Sequence, residues 1–374
     1  MNIIHVVRQF LPSIGGLEDV VHQLGREHLR RGLGPVRVVT LDRLFRGGEG
    51  RLPAHEFIDG IEVLRLPHRG SSRYPLCPTV LAQLGGADLV HVHGIDFFFD
   101  YLAATRWWHR RPLVASTHGG FFHTPYASGL KQVYFRTVTR ASAHAYGAIV
   151  ATSHSDGEMF ADVVSPRRLR VVENGVDVQR YAGAARGPLG RQLLYFGRWS
   201  VNKGLPQALA LLKALRDQHP GWSLTVAGRE YDLSADGLMQ QARRLGVAEH
   251  LQLVPNPSIE VLRELMTVSS YFVSLSRHEG FGLTAIEALS AGLIPILSAI
   301  PAYERVIEGV GLGYLCPSDP AMAASLVENG HAGLAGSIEQ QRAKAIGFCS
   351  AFAWDKVFRK YEGIYEEVCG KGGP

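Results

Sequence analysis

Cysteine is scarce, and the four present, Cys77, Cys316, Cys349 and Cys369 of 374 residues, stand far apart with no C-x-x-C pair. That argues against a zinc ribbon or a disulfide framework and points to a reducing compartment. Long apolar runs are lacking too. The longest, residues 288–300, contains Ser290 and Pro295 and falls short of the roughly 20 residues that a bilayer span needs. Met1 leads into residues 3–7 without a charged leader, a long apolar stretch or a cleavage site, so no secretory signal is expected. No run of five or six basic residues occurs, and no helix-turn-helix or zinc-finger pattern, so nucleic acid is not an expected partner. The dinucleotide fingerprint G-x-G-x-x-G is missing as well.

What is present is ordinary for a folded protein. With 46% hydrophobic and 20% charged residues, disordered, collagen-like and coiled-coil architectures are disfavoured. At roughly 100–200 residues per domain, the length suits two domains with ample cores. The charge is lopsided. Residues 1–180 hold 21 Lys and Arg against 16 Asp and Glu, an excess that equals the net +5 of the whole chain. All but Lys131 of those cations are arginines, whose planar fork suits phosphate and carboxylate recognition.

Short apolar or β-branched runs at 3–7, 36–39, 61–66, 89–92, 113–117, 148–151 and 170–172 alternate with helix-length segments, the first at 17–31. This predicts a parallel sheet covered on both faces. A Gly/Ala/Arg/Pro-rich stretch, 182–191, reads as a linker. The alternation then restarts with runs at 193–196, 224–227, 251–254, 271–275 and 294–297. Two doubly wound α/β domains are expected, 1–182 and 183–353. The last segment, 354–374, carries Val357, Phe358, Tyr361, Ile364, Tyr365 and Val368 at helical spacing. In open parallel sheets ligands bind beyond the carboxyl ends of the strands, so two facing sheets would line one cleft with their strand-end loops.

Three such loops carry chemistry. Loop 10–18 holds Gly15-Gly16, adjacent glycines that let amides approach a ligand at a helix start, although a plain turn uses the same pair. Loop 196–204 places Arg198 and Lys203 to neutralise a diphosphate; a solvated loop also carries such cations. Loop 277–288 is the most informative. It follows an apolar run and enters a helix, with the amides of Gly280, Phe281, Gly282, Leu283 and Thr284 able to face a phosphate and with Glu279 and Glu287 flanking them. As a glycosidase pair these carboxylates are disfavoured. Eight helical residues separate them by roughly 12 Å, more than the roughly 5–9.5 Å that such pairs use.

Histidines cluster in the first half. His91-Val92-His93 has the look of a metal site, but alternation within a strand puts both rings on one face by geometry alone, and no metal is assigned. His118, at a strand end before Gly119-Gly120, is expected to face the cleft.

Taken in order, Gly15-Gly16, Asp88-Leu89-Val90-His91-Val92-His93-Gly94, Thr117-His118-Gly119, Asn174-Gly175-Val176-Asp177, Arg198 with Lys203, Glu279 to Glu287 as an E-x7-E element and a late helix near Trp354 resemble the retaining enzymes of glycosyltransferase family four, over essentially the whole chain. More narrowly, residues 6–18 and 118–124 are similar to bacterial exopolysaccharide mannosyltransferases, which move α-mannose from GDP-mannose to polyprenyl-diphosphate-linked cellobiose. The resemblance implies a GT-B fold, α/β with two doubly wound Rossmann-like domains facing a central cleft. Residues 1–182 would bind acceptor and 183–353 the nucleotide sugar, with the helix of 354–374 packing back toward the first domain.

It further implies that Arg198 and Lys203 bind the donor diphosphate, Glu287 the ribose hydroxyls, and Glu279 with the amides of Gly280, Phe281, Gly282, Leu283 and Thr284 the donor sugar. His118 would contact the sugar near the reacting centre, and Gly16 would approach the phosphate. His118, Glu279, Lys203 and Arg198 are then the catalytic set. No metal or cofactor is implied, in keeping with the missing D-x-D, so cations and helix amides must stabilise the leaving diphosphate. One departure is Val226-Ala227-Gly228-Arg229-Glu230, where many relatives have a second glycine.

Three rivals stand beside this reading: a nucleotide-sugar epimerase of the same fold, a family-four transferase using a UDP-sugar, and a two-lobed sugar-binding protein. A lipid-linked saccharide acceptor would bring the enzyme to the inner face of the cell membrane as a peripheral cytoplasmic protein. The basic first half has the right sign for an anionic membrane surface. The expected contact is Arg106-Trp107-Trp108-His109-Arg110-Arg111, with Lys131, Arg136 and Arg140 as a second surface; the competing expectation is that the two indoles end a helix and pack inward.

Overall fold

The apolar run at the start of the chain forms β1 (Ile3–Val7), buried at every position because neighbours cover it on both sides and both faces. The computed structural model describes residues 1–45, 50–72, 74–119 and 128–370. Two units result: Met1–Gly175 together with the chain from Trp354 onward, and Val176–Ala353. The division falls after Gly175, ahead of the boundary at Ala182 that composition suggests.

In the first unit β1 is joined by β2 (Val36–Leu41), β3 (His55–Ile58), β4 (Ile61–Leu66), β5 (Leu89–His93), β6 (Leu113–Ser116), β7 (Ala148–Ala151) and β8 (Leu169–Val171). Their order is β8-β7-β6-β5-β1-β2-β4-β3, parallel except for β3, which pairs antiparallel with β4. The sequence reading missed β3 because its exposure alternates and Phe57 is an exposed edge residue. Its signal was the Asp59-Gly60 turn, where both residues have positive φ as a tight hairpin requires.

The C-terminal helix, Trp354–Gly370, buries Val357, Phe358, Tyr361, Ile364, Tyr365 and Val368 against Ile3, Leu24, Leu89, Val114 and Val150 of the first unit. Each such side chain contributes roughly 1.5–3 kcal/mol. The glycine of the Asn174-Gly175-Val176-Asp177 motif has a packing reason: a Cβ at Gly175 would stand 2.4 Å from the Trp354 ring.

The second unit consists of β9 (Gln192–Trp199), β10 (Ser223–Glu230), β11 (Leu251–Pro255), β12 (Tyr271–Ser274), β13 (Ile294–Ser298) and β14 (Tyr314–Cys316), all parallel in the order β11-β10-β9-β12-β13-β14. Its core gathers Trp199, Trp222, Leu194, Phe272, Ile286 and Leu289. The expected linker belongs to this unit. Ala184 and Ala185 are buried in its core, and the amides of Gly183 and Ala185 donate to the carbonyls of Ser290 and Ala291.

Strand order reverses between β1 and β5 in the first sheet and between β9 and β12 in the second, while the strands stay parallel. At such switch points the loops splay apart and leave room for a ligand. Of the loops singled out from sequence, 10–18 and 277–288 follow β1 and β12, while 196–204 begins inside β9, whose last residues include Arg198, and runs on past its end.

Candidate active site

In the second unit the loops after β9 and β12 are laced together. Arg277 N–H donates to the Asn202 carbonyl at 2.8 Å, and the Asn202 side-chain amide donates to the His278 carbonyl at 3.0 Å. Gly204 makes this approach feasible: its φ is +71°, and a Cβ there would lie 1.9 Å from the Leu275 carbonyl oxygen.

The lacing brings Lys203 to Glu279, with Nζ 2.7 Å from Oε1. The same oxygen accepts from Ser276 Oγ at 2.7 Å and from Tyr303 OH at 3.2 Å, and Tyr303 OH lies 2.7 Å from Ser274 Oγ. Burial and the neighbouring Glu279 carboxylate hold the Tyr303 phenol far above its ordinary pKa, so it stays a donor. An ammonium has three donors. One goes to Glu279, so Lys203 is fixed in place with donors left for an anion.

Gly282 caps the helix Leu283–Ala291 with φ +88° and no side-chain cap, and a Cβ there would stand 2.8 Å from the Tyr303 ring. The first amides of that helix have no side-chain cap, and the helix dipole favours negative charge at this terminus. Glu287, in the second turn, has Oε1 3.8 Å from Arg180 Nη1. Arg198 is exposed, with its guanidinium 5.3 Å from the Tyr231 ring centroid. A side chain at Gly228 would collide with the Gly197 carbonyl at 1.8 Å, so the one glycine kept in 226–230 is the one that the β9–β10 pairing needs.

In the first unit, His118 follows β6. Its φ is +54°, a left-handed backbone that costs a non-glycine residue about 1–2 kcal/mol. Asp156 holds it there: one carboxylate oxygen accepts from Thr117 Oγ1 at 2.6 Å and from Gly119 N–H at 3.0 Å, on either side of His118. Asp156 is itself seated by Ser153, whose Oγ accepts from its amide. Burial drives the His118 pKa down to about 3, so the ring is neutral at ordinary pH. Gly16 opens the helix Gly16–Arg30, and a Cβ on it would meet nothing within 4 Å, which leaves room for a ligand at that terminus.

His5, His91 and His93 are buried close together. His5 Nδ1 lies 2.8 Å from His93 Nε2, and both nitrogens of His91 are engaged, with Tyr365 OH and Ser116 Oγ, each at 2.8 Å. Two nitrogens on a tetrahedral zinc, each with a bond of roughly 2.0–2.1 Å, stand about 3.3 Å apart, so the geometry is that of hydrogen bonding.

Trp107 and Trp108 do not pack inward. They are 73% and 70% exposed on the short helix Arg106–His109, with Arg110 exposed beside them. Arg106 is half-buried, and Arg111 donates to the Ala87 carbonyl at 2.9 Å. Val133, Arg136, Val138 and Arg140 are exposed on the second expected surface. The side chain of Lys131 and residues 120–127, which include most of the 118–124 resemblance, lie outside the described residues.

Sequence reasoning missed Tyr303, Ser276, Asp156, Arg180 and His5. Only His5 left a signal, as the one polar residue in an apolar strand.

Two family models match the chain, Glycosyltransferase Family 4 over residues 14–180 and Glycosyl transferases group 1 over 189–329. A GDP-mannose:cellobiosyl-diphosphopolyprenol alpha-mannosyltransferase of Xanthomonas oryzae pv. oryzae is 50% identical over 99% of this chain and 98% of its own. A protein of the same description from Komagataeibacter xylinus is 43% identical over 100% and 95%. Among solved structures, the sucrose-phosphate synthase of Thermosynechococcus elongatus superposes with a TM-score of 0.73 at 17% identity, covering 99% of both chains. That last likeness establishes the fold.

Proposed function

The chain belongs to glycosyltransferase family 4 and is a glycosyltransferase of GT-B fold, and from that premise we propose that it transfers α-mannose from GDP-mannose to cellobiosyl-diphosphopolyprenol with retention of configuration. Identity of 50%, 48% and 43% with three enzymes of that description, over nearly the whole chain, supports the substrates. The reaction type is supported by one observation: an ammonium fixed by Glu279 where the loops after β9 and β12 meet, at the switch point of a parallel sheet, with the loop of Glu279 leading into an uncapped helix.

The bond that breaks joins the sugar's anomeric carbon to the diphosphate oxygen. Negative charge grows on that oxygen, and donors already aimed at it lower the barrier because they gain strength as the charge develops. Lys203, Arg198 and the amides of Gly280, Phe281, Gly282, Leu283 and Thr284 serve this role. Glu279 keeps Lys203 in place and meets the sugar; Glu287 takes the ribose hydroxyls. His118, neutral, offers the sugar a hydrogen bond, and Gly16 admits the phosphate. The acceptor hydroxyl attacks on the face that the diphosphate leaves, and its proton passes to the departing phosphate oxygen. No metal takes part in this scheme.

Among the described residues no helix is long and apolar enough to cross a membrane. We propose that the enzyme docks on the anionic cytoplasmic face of the cell membrane, where its acceptor's lipid tail lies, through Trp107, Trp108 and Arg110.

The deciding experiment incubates the purified chain with EDTA, GDP-mannose and a short-chain cellobiosyl-diphospholipid. An α-linked mannosyl product with release of GDP is expected. Preference for a UDP-sugar, an epimer formed from donor alone, or a strict need for added manganese or magnesium would overturn the corresponding part of the reading.

A further inference from the structure

His118 is one end of a hydrogen-bonded row of imidazoles. Its Nε2 lies 2.9 Å from His93 Nδ1, and His93 Nε2 lies 2.8 Å from His5 Nδ1. A neutral imidazole carries one proton, so one nitrogen donates and the other accepts. The three choices are therefore slaved to one another. With the proton of His93 on Nε2, His5 must accept at Nδ1 and keep its own proton on Nε2, and His118 must donate from Nε2. With the proton of His93 on Nδ1, all three are Nδ1 tautomers. Any mixture puts two protons, or none, between a pair of nitrogens.

Burial keeps the row neutral. The pKa values of His5 and His118 fall to about 3, and that of His93 falls well below its ordinary value. The middle ring is braced as well. His91 packs against His93 with centroids 3.9 Å apart and the rings tilted by 35°, and it is pinned at both nitrogens by Tyr365 and Ser116.

We propose that His93 and His5 are positioning residues for the transfer reaction, holding the His118 ring in one orientation and tying its tautomer to theirs, so that its Nδ1, the nitrogen outside the row, cannot change its hydrogen-bonding sense toward the donor sugar unless all three rings change together. This rests on the reading of His118 as a sugar contact. A ring free to exchange tautomers would offer a donor part of the time and an acceptor the rest, and the share in the wrong form is lost to catalysis.

The test has two arms. Protein labelled with ¹⁵N-histidine reports each ring's tautomer by NMR, with assignments from single substitutions. His5, His93 and His118 are expected to share one tautomer, and opposed tautomers, or averages that differ among the rings, overturn the proposal without any variant having to fold. In the second arm, His93→Phe is expected to lower kcat by about tenfold or more with GDP affinity unchanged, and the pair His93→Phe/His118→Ala to be no slower than His118→Ala alone. Full turnover in a folded His93→Phe, or losses that multiply in the pair, overturn it. Full turnover in His118→Ala defeats the sugar-contact reading, and with it the catalytic use of the row, even where the shared tautomer stands. Stoichiometric zinc in the purified protein, lost on His93→Phe, replaces the row with a metal site.

Discussion

Lys203 Nζ lies 2.7 Å from Glu279 Oε1, an oxygen that Ser276 and Tyr303 also engage. The pair is nearly enclosed, with side chains 18% and 11% exposed. Enclosure strengthens the attraction and makes each partner depend on the other, because removing one leaves the other's charge poorly solvated.

On the proposed mechanism, Lys203→Ala loses a charge-assisted contact to the diphosphate worth roughly 1.5–3 kcal/mol, and kcat/KM should fall about tenfold or more. Steady-state kinetics with GDP-mannose check this. A variant with wild-type efficiency would take Lys203 out of the site.

Glu279→Gln keeps the shape and still accepts from Ser276 and Tyr303, but no longer balances Lys203. Turnover should drop by about tenfold or more, and the melting temperature should fall by several degrees at most, because Lys203 is left without its counter-charge in a nearly enclosed place. A large melting shift with specific activity intact would make Glu279 structural. On the proposed role of Glu287, Glu287→Gln should act mainly on donor KM, since ribose hydroxyls would be held in the ground state as well.

The loop positions of Lys203 and Glu279 were legible from sequence because glycines punctuate the strand ends and a helix begins right after. Their contact was not, since it depends on Gly204 admitting the Leu275 carbonyl, a long-range packing fact that no local pattern carries. Strand positions were readable wherever the strand is central and buried, as at β1 and β12. They failed at β3, on the sheet edge, where half the residues face water. Asp156 escaped notice for a similar reason: it lies 38 residues from His118 in sequence, and only the adjacency of β6 and β7 brings it there.

Stability should depend on pH through the buried histidines. Above pH 6.5, the ordinary value, folded and unfolded chains are alike neutral at these sites. As pH falls from 6.5 toward about 3, the unfolded chain takes up protons that the folded chain refuses, so stability is lost. Each such histidine contributes a slope of up to roughly 1.4 kcal/mol per pH unit. Urea unfolding between pH 7 and 5 should show the loss, and His5→Gln should make it shallower by about one proton's worth; an unchanged slope would mean that His5 is not protected.

Membrane docking is best tested on the exposed residues of the Trp107 patch. Arg111 is a poor choice, because its loss would strip the Ala87 carbonyl of a donor. Trp107→Ala/Trp108→Ala/Arg110→Ala should weaken binding to anionic vesicles by about tenfold or more and leave activity on a short, water-soluble acceptor unchanged. Undiminished sedimentation with vesicles would turn attention to Val133, Arg136, Val138 and Arg140.

The first unit is closed by the last helix, so its two parts are separated in the chain by the whole of the second unit. On the ribosome, Val176–Ala353 is complete while Ile3, Leu24, Leu89, Val114 and Val150 still await their cover. The half that carries His118 is thus the last to mature. A message cut short before Trp354 yields the complete Val176–Ala353 unit joined to a sheet with an open apolar face, and that face is what a chaperone or a protease would meet.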